Sequence, residues 1–445
     1  MKLFSFFLFI FFLSGCSSGG GSSVFLIDDR AENESLNVTF YESPQATSSI
    51  PLLVVLVDFN DQTIVDTDLA WSQKIFGNSA GQLNDYFAEI SNNTFSFTPA
   101  NESYNNNNDG IIKVTVNINH PNIADPNTFR TTVAAPALTA ANPFIDFSVY
   151  DTNANTRIDK EELQVMFLVA GGELATLLTP GIWAHAYCLN GQSLDGVDVM
   201  QCNNGSYTAF GERHDDFGVA GSDATIGIIA HELGHGAFYL PDLYDTDLSS
   251  EGIGEFGLMG AGSWGFVGIE IQGTTPVHMS AFSKIESGFL TPRIITTDSN
   301  NMPLAATDRN DYRAIRVNTQ DSDEYFLIEN RSASGYDAGL YSLEYSNFLG
   351  GLAIWHINEA KDDNDDESNK LVDLEEADGF HLDTAGNKGS QTNLFYEGNN
   401  APAYTGVLSS LSTPSTTNTS NNSPTGISVS NISAPASLIY IDLHF

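Results

Sequence analysis

The sequence predicts an α+β fold with a mixed sheet, one buried helix and a strand-rich C-terminal part. Three observations predict it. Residues 49–175 contain short strand-like runs with one helix near residues 81–91, residues 222–240 open with polar residues and continue as an apolar helix, and residues 300–445 alternate or run apolar between Asn-, Ser- and Thr-rich loops. The expected C-terminal strands include residues 325–329, 351–357 and 438–443, and residues 413–424 form a polar segment that predicts a surface loop.

Composition restricts the possible partners. The chain has 17 basic and 56 acidic residues, a net charge of −39, which repels nucleic acid and anionic lipid alike. A content of 41% hydrophobic and 11% aromatic residues is enough for a full globular core. We therefore expect a folded, monomeric protein that does not bind nucleic acid, with its self-repulsion relieved by bound calcium or by saline surroundings.

The N-terminus predicts export and attachment to a membrane. Residues 3–13 form an apolar block that is too short for a span of about 20 residues and suits a signal-peptide core. Leu13-Ser14-Gly15-Cys16 resembles the bacterial lipobox, so residues 1–15 would be a lipoprotein signal peptide and Cys16 the lipidated first residue. The alternative is an ordinary cleavage site with an incidental cysteine.

A flexible tether would follow Cys16 up to residue 48, beginning with a Ser/Gly run at residues 17–23. Acyl chains contribute about 0.8 kcal/mol for each buried CH₂, so several chains on one cysteine anchor a protein firmly. The residue after Cys16 is Ser17 and not an aspartate, which indicates the outer membrane or cell surface of a bacterium. The protein could also be released from there.

A loop at residues 151–162 has the pattern of a calcium loop. Oxygen-bearing side chains stand at positions 1, 3, 5, 9 and 12, the carbonyl of position 7 is available, and Thr156 replaces the usual glycine at position 6. A solvated turn rich in Asp and Asn is the alternative. The expected calcium ligands are Asp151, Asn153, Asn155, Arg157, Asp159 and Glu162.

Cys188 and Cys202 lie fourteen residues apart in a chain expected to be exported. A disulfide between them is the favoured interpretation, and two buried free thiols are the alternative. Such a bond would close a loop just upstream of the buried helix and stabilise the fold by roughly 3 kcal/mol.

The helix carries His231-Glu232-Leu233-Gly234-His235. Histidines at i and i+4 lie on one side of a helix and can bind one ion, while Glu232 lies beside it without competing. Zinc held by imidazoles lowers the pKa of bound water towards about 7, and a neighbouring carboxylate can then accept its proton. The motif thus predicts zinc ligands His231 and His235 and the general base Glu232, the chemistry of amide hydrolysis.

A catalytic zinc needs a third protein ligand. Pro241 is expected to end the helix, and Asp242 then stands where it can return to the ion. Further on, a Gly-rich turn presents Met259, as does the turn beneath the metal in metzincin peptidases. A methionine in a turn can also be an ordinary core residue.

On these residues the chain resembles the immune inhibitor A (M6) family of bacterial metalloendopeptidases. The similarity runs from about residue 50 to 440 and implies a metzincin-like, two-lobed catalytic domain that degrades extracellular proteins with zinc. Residues 49–300 would form the metallopeptidase core, and residues 301–445 a strand-rich part of the same unit. Further segments that resemble the family are residues 52–59, 86–91, 182–185, 276–284, 325–331 and 351–357.

One departure from the family pattern concerns the third ligand. The family places a glycine three residues and the acidic ligand six residues after the second histidine, where this chain has Phe238 and Pro241. Either the helix end is remodelled around an extra residue so that Asp242 binds, or another acid such as Asp245 or a later Glu closes the site.

Two functions stay open from the sequence. The first is a zinc endopeptidase at the cell surface that cleaves proteins or peptides, and the second is a calcium-stabilised surface binding protein that has lost turnover on the same fold. The intact Glu232 argues against the second. The acidic run at residues 362–367 predicts either a solvated loop or a calcium site.

Overall fold

The computed structural model describes residues 49–445 except residues 203, 217–218, 345–347, 380–381, 411 and 413–414. The expected signal peptide, Cys16 and the tether therefore lie outside the described residues. Within the described part of the chain, no helix combines the length and apolar character needed to cross a bilayer.

A mixed sheet organises the first part of the fold, as an α+β protein requires. Its strands and a small hairpin (β7 and β8) are β1 (Ser49–Asp58), β2 (Ser96–Pro99), β3 (Ile111–Thr115), β4 (Gln164–Glu173), β5 (Gly181–Ile182), β6 (His185–Tyr187), β7 (Ser193–Leu194), β8 (Val197–Asp198), β9 (Tyr207–Asp216) and β10 (Val219–Asp223). The order is β10-β9-β4-β1-β2, with β3 beside β1, β5 beside β4 and β6 beside β9.

The central strands are parallel and buried on both faces. Leu52 to Val57 of β1 are all 0% exposed, and β1 pairs in parallel with β4, which in turn pairs in parallel with β9. Such strands read as continuous apolar runs because helices cover both sides of a parallel sheet. Two strands at the β9 edge, β6 and β10, run antiparallel to it.

The helices include two regions that the sequence reading missed. They are α1 (Asp68–Phe76), α2 (Leu83–Ile90), α3 (Pro126–Phe129), α4 (Ala135–Ala141), α5 (Ile226–Phe238), α6 (Ala281–Glu286) and α7 (Tyr341–Glu344), with a π-helical turn at residues 130–134 joining α3 to α4. The expected helix near residues 81–91 is α2. The reading of residues 49–175 as otherwise strands was wrong for α1 and for α3–α4.

Local capping explains these extra helices. The Thr67 side chain accepts the Ala70 N–H at the start of α1, and the Asp125 side chain accepts two N–H groups before Pro126 opens α3. These are strong helix-start signals, since a polar cap satisfies otherwise unpaired N–H groups and proline tolerates the first turn. The many Thr and Ala residues of α3–α4 are compatible with a helix packed on the sheet as well as with a strand.

Two sheets form the C-terminal part, and the strands expected there are confirmed at residues 325–329, 351–357 and 438–443. One sheet contains β11 (Arg293–Ile294), β13 (Ile315–Asn318), β14 (Glu324–Arg331), β15 (Gly351–Asn358) and β16 (Val372–Leu374); the other contains β12 (Ser299–Ala305), β17 (Leu408–Ser409), β18 (Ser428–Ser430) and β19 (Leu438–His444).

Side-chain alternation along β14 links the two parts of the protein. Tyr325 and Leu327 belong to the hydrophobic core shared with the first sheet, whereas Phe326 and Ile328 belong to a second core between the C-terminal sheets. Successive residues of a strand point to opposite faces, so β14 is a wall between two cores. The C-terminal part therefore packs directly on the part that carries α5.

Candidate metal centre

Helix α5 is buried because its small residues allow close packing. A Cβ on Gly227 would lie 1.9 Å from the Ser263 carbonyl oxygen, and one on Gly234 would lie 2.7 Å from the Met259 sulfur. The glycines weaken intrinsic helix propensity by up to about 1 kcal/mol each. Their absence of side chains lets the helix lie directly against residues 259–264, which fixes the helix axis relative to that turn.

Three side chains of the expected zinc site meet at one point. His231 Nε2 lies 3.2 Å from His235 Nε2, and the Asp242 Oδ1 lies 3.2 Å from the first of these nitrogens and 3.1 Å from the second. Among the described residues, this is the one group of three or more His, Cys, Asp or Glu ligand atoms that converges closely enough to hold a metal ion.

The hydrogen bonds behind the rings favour a cation between them. His231 Nδ1 lies 2.9 Å from the Leu258 carbonyl oxygen and His235 Nδ1 lies 2.7 Å from that of Leu240, so in each neutral ring Nδ1 carries the proton and donates. Both Nε2 lone pairs then face each other and the buried Asp242 Oδ1, which accepts no hydrogen bond from the described residues. Three electron pairs without a proton among them need a positive ion.

The spacing of these atoms fits a tetrahedral metal. Nitrogen and oxygen ligands bind zinc at about 2.0–2.2 Å, which places them about 3.3–3.5 Å from one another in a tetrahedron. The separations of 3.1 and 3.2 Å between the three atoms are close to those edges. The donor set of two imidazoles and one carboxylate also suits zinc.

Protons compete for the same site when no metal is bound. Burial lowers the pKa of His235, but the Asp242 carboxylate outweighs burial and raises that pKa to about 9. Burial acts in the opposite direction on Asp242, yet the two imidazoles hold the pKa of its carboxyl well below the usual range. Binding of a metal therefore displaces a proton from the pair.

The end of α5 is remodelled around one extra residue, the first of the two alternatives that the sequence left open. The helix continues to Phe238, and Tyr239 adopts a left-handed conformation with φ of 55°. The Tyr239 N–H donates to the His235 carbonyl, and the Leu240 N–H to that of Gly234. The bond from Tyr239 to His235 is that of an αL C-cap, with tyrosine where glycine is usual, and the left-handed residue turns the chain so that Asp242 points back to the rings.

Asp245, the other acid considered as a ligand, has a different role. Its carboxylate accepts the N–H groups of Asp247, Leu248 and Ser250 and the Ser249 hydroxyl. These bonds close the loop at residues 245–250. The structure thus brings Asp242, and not Asp245, to the two histidines.

Met259 and Tyr244 support the metal ligands. Met259 lies under α5 at Gly234, and its neighbour Leu258 supplies the carbonyl that fixes His231. The Tyr244 ring stacks on that of His231 with centroids 6.1 Å apart, and its hydroxyl lies close enough to the Asp242 carboxylate for the two groups to interact. Burial, followed by the charges of Asp242 and Glu232, raises the pKa of Tyr244 far above its usual value, so the phenol stays a proton donor.

Glu232 lies beside the two imidazoles and is shielded from water, with 7% of its surface exposed. Burial raises the pKa of its carboxyl, while His231, His235 and the nearby backbone N–H of Ala186 act in the opposite direction. Ala186 belongs to the edge strand β6, which the sequence reading did not connect with the site. A buried carboxyl with a raised pKa beside a candidate metal site has the environment of a general base.

The expected calcium loop folds on its own hydrogen bonds. The Glu162 carboxylate accepts N–H groups of Thr152, Asn153 and Asp159, and Asp159 accepts amide donors from Asn153, Asn155 and Asn204. Asp151 likewise accepts the N–H groups of Asn155 and Thr156, and Thr156 has φ of 65°. The carboxylates at positions 1, 9 and 12 do not converge as a group in the described residues, and calcium binding by this loop stays a prediction.

Four further polar side chains are candidate donors to a reacting oxygen: His185, Tyr239, Tyr244 and His278. His185 contacts the Trp183 carbonyl and the Tyr207 hydroxyl, and burial lowers its pKa to about 4. His278 is fully buried against Glu89 and Lys284, and Tyr239 forms the helix end. Of the four, Tyr244 is the one whose ring stacks on a candidate metal ligand, His231.

Cys188 and Cys202 form a disulfide with an S–S distance of 2.03 Å. The bond follows β6 directly in the chain, so it closes the segment that leads from β6 to β9. It thereby braces the strand whose Ala186 N–H contacts Glu232.

Comparison with known proteins agrees with this site. Residues 163–292 match the family model described as "Immune inhibitor A peptidase M6, catalytic domain". The matched range starts before β4 and ends after α6, so it includes α5, Asp242 and the Met259 turn. A search of the curated proteins gives no match. The match supports an M6-like metallopeptidase.

Proposed function

We propose that the protein is a zinc-dependent endopeptidase that hydrolyses peptide bonds of extracellular proteins. The observation that carries this proposal is the convergence of His231 Nε2, His235 Nε2 and Asp242 Oδ1 beside the buried Glu232. The peptidase family match over the same residues supports a protein or peptide substrate. A bound zinc ion would supply Lewis-acid activation of a water molecule and of the scissile carbonyl.

The protein's own residues then divide the remaining work. Glu232 accepts a proton from the attacking water as the water oxygen bonds to the carbonyl carbon, and it returns that proton to the amide nitrogen as the C–N bond breaks. Leu258 and Leu240 hold the two imidazoles in the tautomer that offers Nε2 to the metal. Tyr244 orients the Asp242 carboxylate from the other side.

The alternative of a binding protein without turnover has less support. It rested on the late position of Asp242, and the left-handed turn at Tyr239 supplies the direction change that brings this carboxylate to the histidines. We further propose that the enzyme is exported and attached through Cys16 as a cell-surface lipoprotein, from the lipobox-like sequence alone.

The test is hydrolysis of casein or a peptide by the wild type and by Glu232→Gln, with zinc measured by elemental analysis in both. We expect near-stoichiometric zinc in each protein and a loss of activity of about 10²–10⁴-fold in the variant, the usual contribution of a general base. Glu102→Gln is a matched control, since Glu102 is also a buried carboxylate that accepts backbone N–H groups, in the loop between β2 and β3. The proposal would be refuted by equal activity of the wild type and Glu232→Gln, or by a wild type that contains no zinc and shows no activity.

A further inference from the structure

The acidic run at residues 362–367 packs against the chain that follows the third metal ligand. Asn364 is its one fully buried residue, whereas Asp362, Asp363 and Asp366 are exposed. The Asn364 amide donates to the Leu243 carbonyl at 2.9 Å and to the Val372 carbonyl at 2.9 Å, and its oxygen accepts the Val372 N–H at 3.0 Å. A neutral amide with all these bonds made can be buried at little cost, unlike the carboxylates around it.

Leu243 is the residue next to Asp242, and its backbone is held from several sides. Its N–H donates to the Met259 carbonyl at 2.9 Å, and its carbonyl accepts the Ile253 N–H at 2.9 Å in addition to the Asn364 amide. The residue before Met259 is Leu258, whose carbonyl fixes His231. One hydrogen-bond network therefore connects the first ligand with the chain of the third.

A second contact of the same run holds the next turn of that chain. The Asp365 carboxylate accepts the Thr246 N–H at 2.7 Å and its hydroxyl at 2.7 and 2.8 Å. Glu367 accepts the Ser249 hydroxyl. Residues 243–249 are thus fastened to the run at Leu243, Thr246 and Ser249.

The chain around Asp242 needs such fastening because it has left the helix. Three residues lie between α5 and Asp242: Tyr239, which has the left-handed conformation, then Leu240 and Pro241. After Asp242, no regular element begins before residue 254. The position of the Asp242 carboxylate therefore depends on where the backbone of Leu243 is held. Val372, the other partner of Asn364, belongs to β16, so the support comes from a paired strand of the C-terminal sheet.

We propose that Asn364 is a positioning residue for the metal site: its amide joins β16 to the Leu243 carbonyl and so holds Asp242 in ligand position. This inference rests on the proposed metallopeptidase function. Asp365 has a supporting role in the same contact. The acidic run is then a clamp on the metal-ligand loop, supplied by the C-terminal part of the protein.

The test measures the zinc dissociation constant of the full chain by competition with a chromophoric chelator. For Asn364→Ala we expect zinc affinity to fall by about 10–100-fold, the usual effect of losing support behind a metal ligand. Asn330→Ala is the matched control. Asn330 is also 0% exposed and donates to two backbone carbonyls, those of Leu304 in β12 and of Ala436 just before β19.

Each outcome decides the matter. A wild type that binds no zinc ends the proposed function and this inference with it. If the wild type binds zinc, either of two results refutes the positioning role alone. In the first, the zinc affinity of Asn364→Ala lies within about twofold of that of the wild type; in the second, Asn364→Ala and Asn330→Ala lose zinc affinity equally. If Asn364→Ala does not fold, Asp365→Ala at its half-buried site replaces it: weaker zinc binding than in Asn330→Ala supports the clamp, and unchanged binding refutes it.

Discussion

Three glycines of α5 allow a quantitative test of how this helix is packed. Each is changed to alanine in the same helix, so the gain in helix propensity of up to about 1 kcal/mol is common to all three variants. Differences between them then report only what the new methyl group meets. The new methyl group meets backbone at residue 227, the flexible Met259 sulfur at residue 234 and polar side chains at residue 236. The structure therefore predicts an order of stability for the three variants.

Gly227→Ala should be the most damaging. Its Cβ would lie 1.9 Å from the Ser263 carbonyl oxygen, whereas carbon and oxygen in contact lie about 3.3 Å apart, so the backbones must separate by more than 1 Å. Overpacking costs about 1–3 kcal/mol, and the 2.9 Å hydrogen bond from the Gly227 N–H to the Gly273 carbonyl would be weakened at about 1 kcal/mol. After the propensity gain, we expect a net loss of about 1–3 kcal/mol.

The other two variants should be milder. In Gly234→Ala the methyl group meets the Met259 sulfur at 2.7 Å, which a flexible side chain can yield. In Gly236→Ala the nearest atoms, on Gln164, Thr208 and Ser206, lie at 3.1 to 3.2 Å. We expect a loss of about 1 kcal/mol for the first and little net change for the second, because the propensity gain offsets slight crowding.

The assay is urea unfolding followed by far-UV circular dichroism, with a chelator present so that metal binding does not add to stability. The midpoint should decrease in the order Gly236→Ala, Gly234→Ala, Gly227→Ala. A Gly227→Ala protein as stable as Gly236→Ala would show that α5 is not in contact with residue 263, and the packing argument would fail.

Three other changes test separate features of the protein. Tyr244→Phe removes the hydroxyl beside Asp242 and should weaken zinc binding about 10–100-fold in a chelator competition while the stacked ring is kept; unchanged affinity would contradict the support role. Tyr239→Gly should raise the free energy of unfolding by up to about 1 kcal/mol, because glycine adopts the left-handed conformation freely. A lower free energy of unfolding would mean that the tyrosine ring stabilises the fold by more than its backbone strain costs. Burial lowers the pKa of His356, but its bonds to Glu324 and Glu375 raise it to about 9, so its stabilising charge is fully present below pH 6.5 and lost as the pH rises through 9. The midpoint difference between wild type and His356→Gln should therefore shrink between pH 6.5 and 10, and a constant difference would refute the charge assignment.

The sequence predicted best what depends on local geometry. The pairing of His231 with His235 on one side of α5 follows from the helical repeat alone. Apolar runs likewise predicted β14, β15 and β19. Local patterns failed at α1 and at α3–α4, where the caps at Thr67 and Asp125 start helices. The Thr- and Ala-rich residues of α3–α4 were also compatible with a strand.

The sequence left two features open that long-range contacts resolved. The third ligand depended on how the chain turns at Tyr239, and spacing alone allowed Asp242 or Asp245. The acidic run allowed a solvated loop or a calcium site. In the structure Asp362, Asp363 and Asp366 are exposed, and Asn364 packs on the Leu243 carbonyl, 121 positions away in the chain. No local pattern contains a partner at that distance.

By itself, the sequence determined a helix with two imidazoles one turn apart and a carboxylate next to the first of them. It also determined strands on either side of this helix and a strongly acidic surface. These follow from backbone periodicity and composition, which act over a few residues. Only the tertiary structure decided which acid meets the histidines, which carbonyls orient them and how the C-terminal sheet fastens the ligand loop. Those contacts join segments that are distant in the chain, and packing of the whole core brings them together.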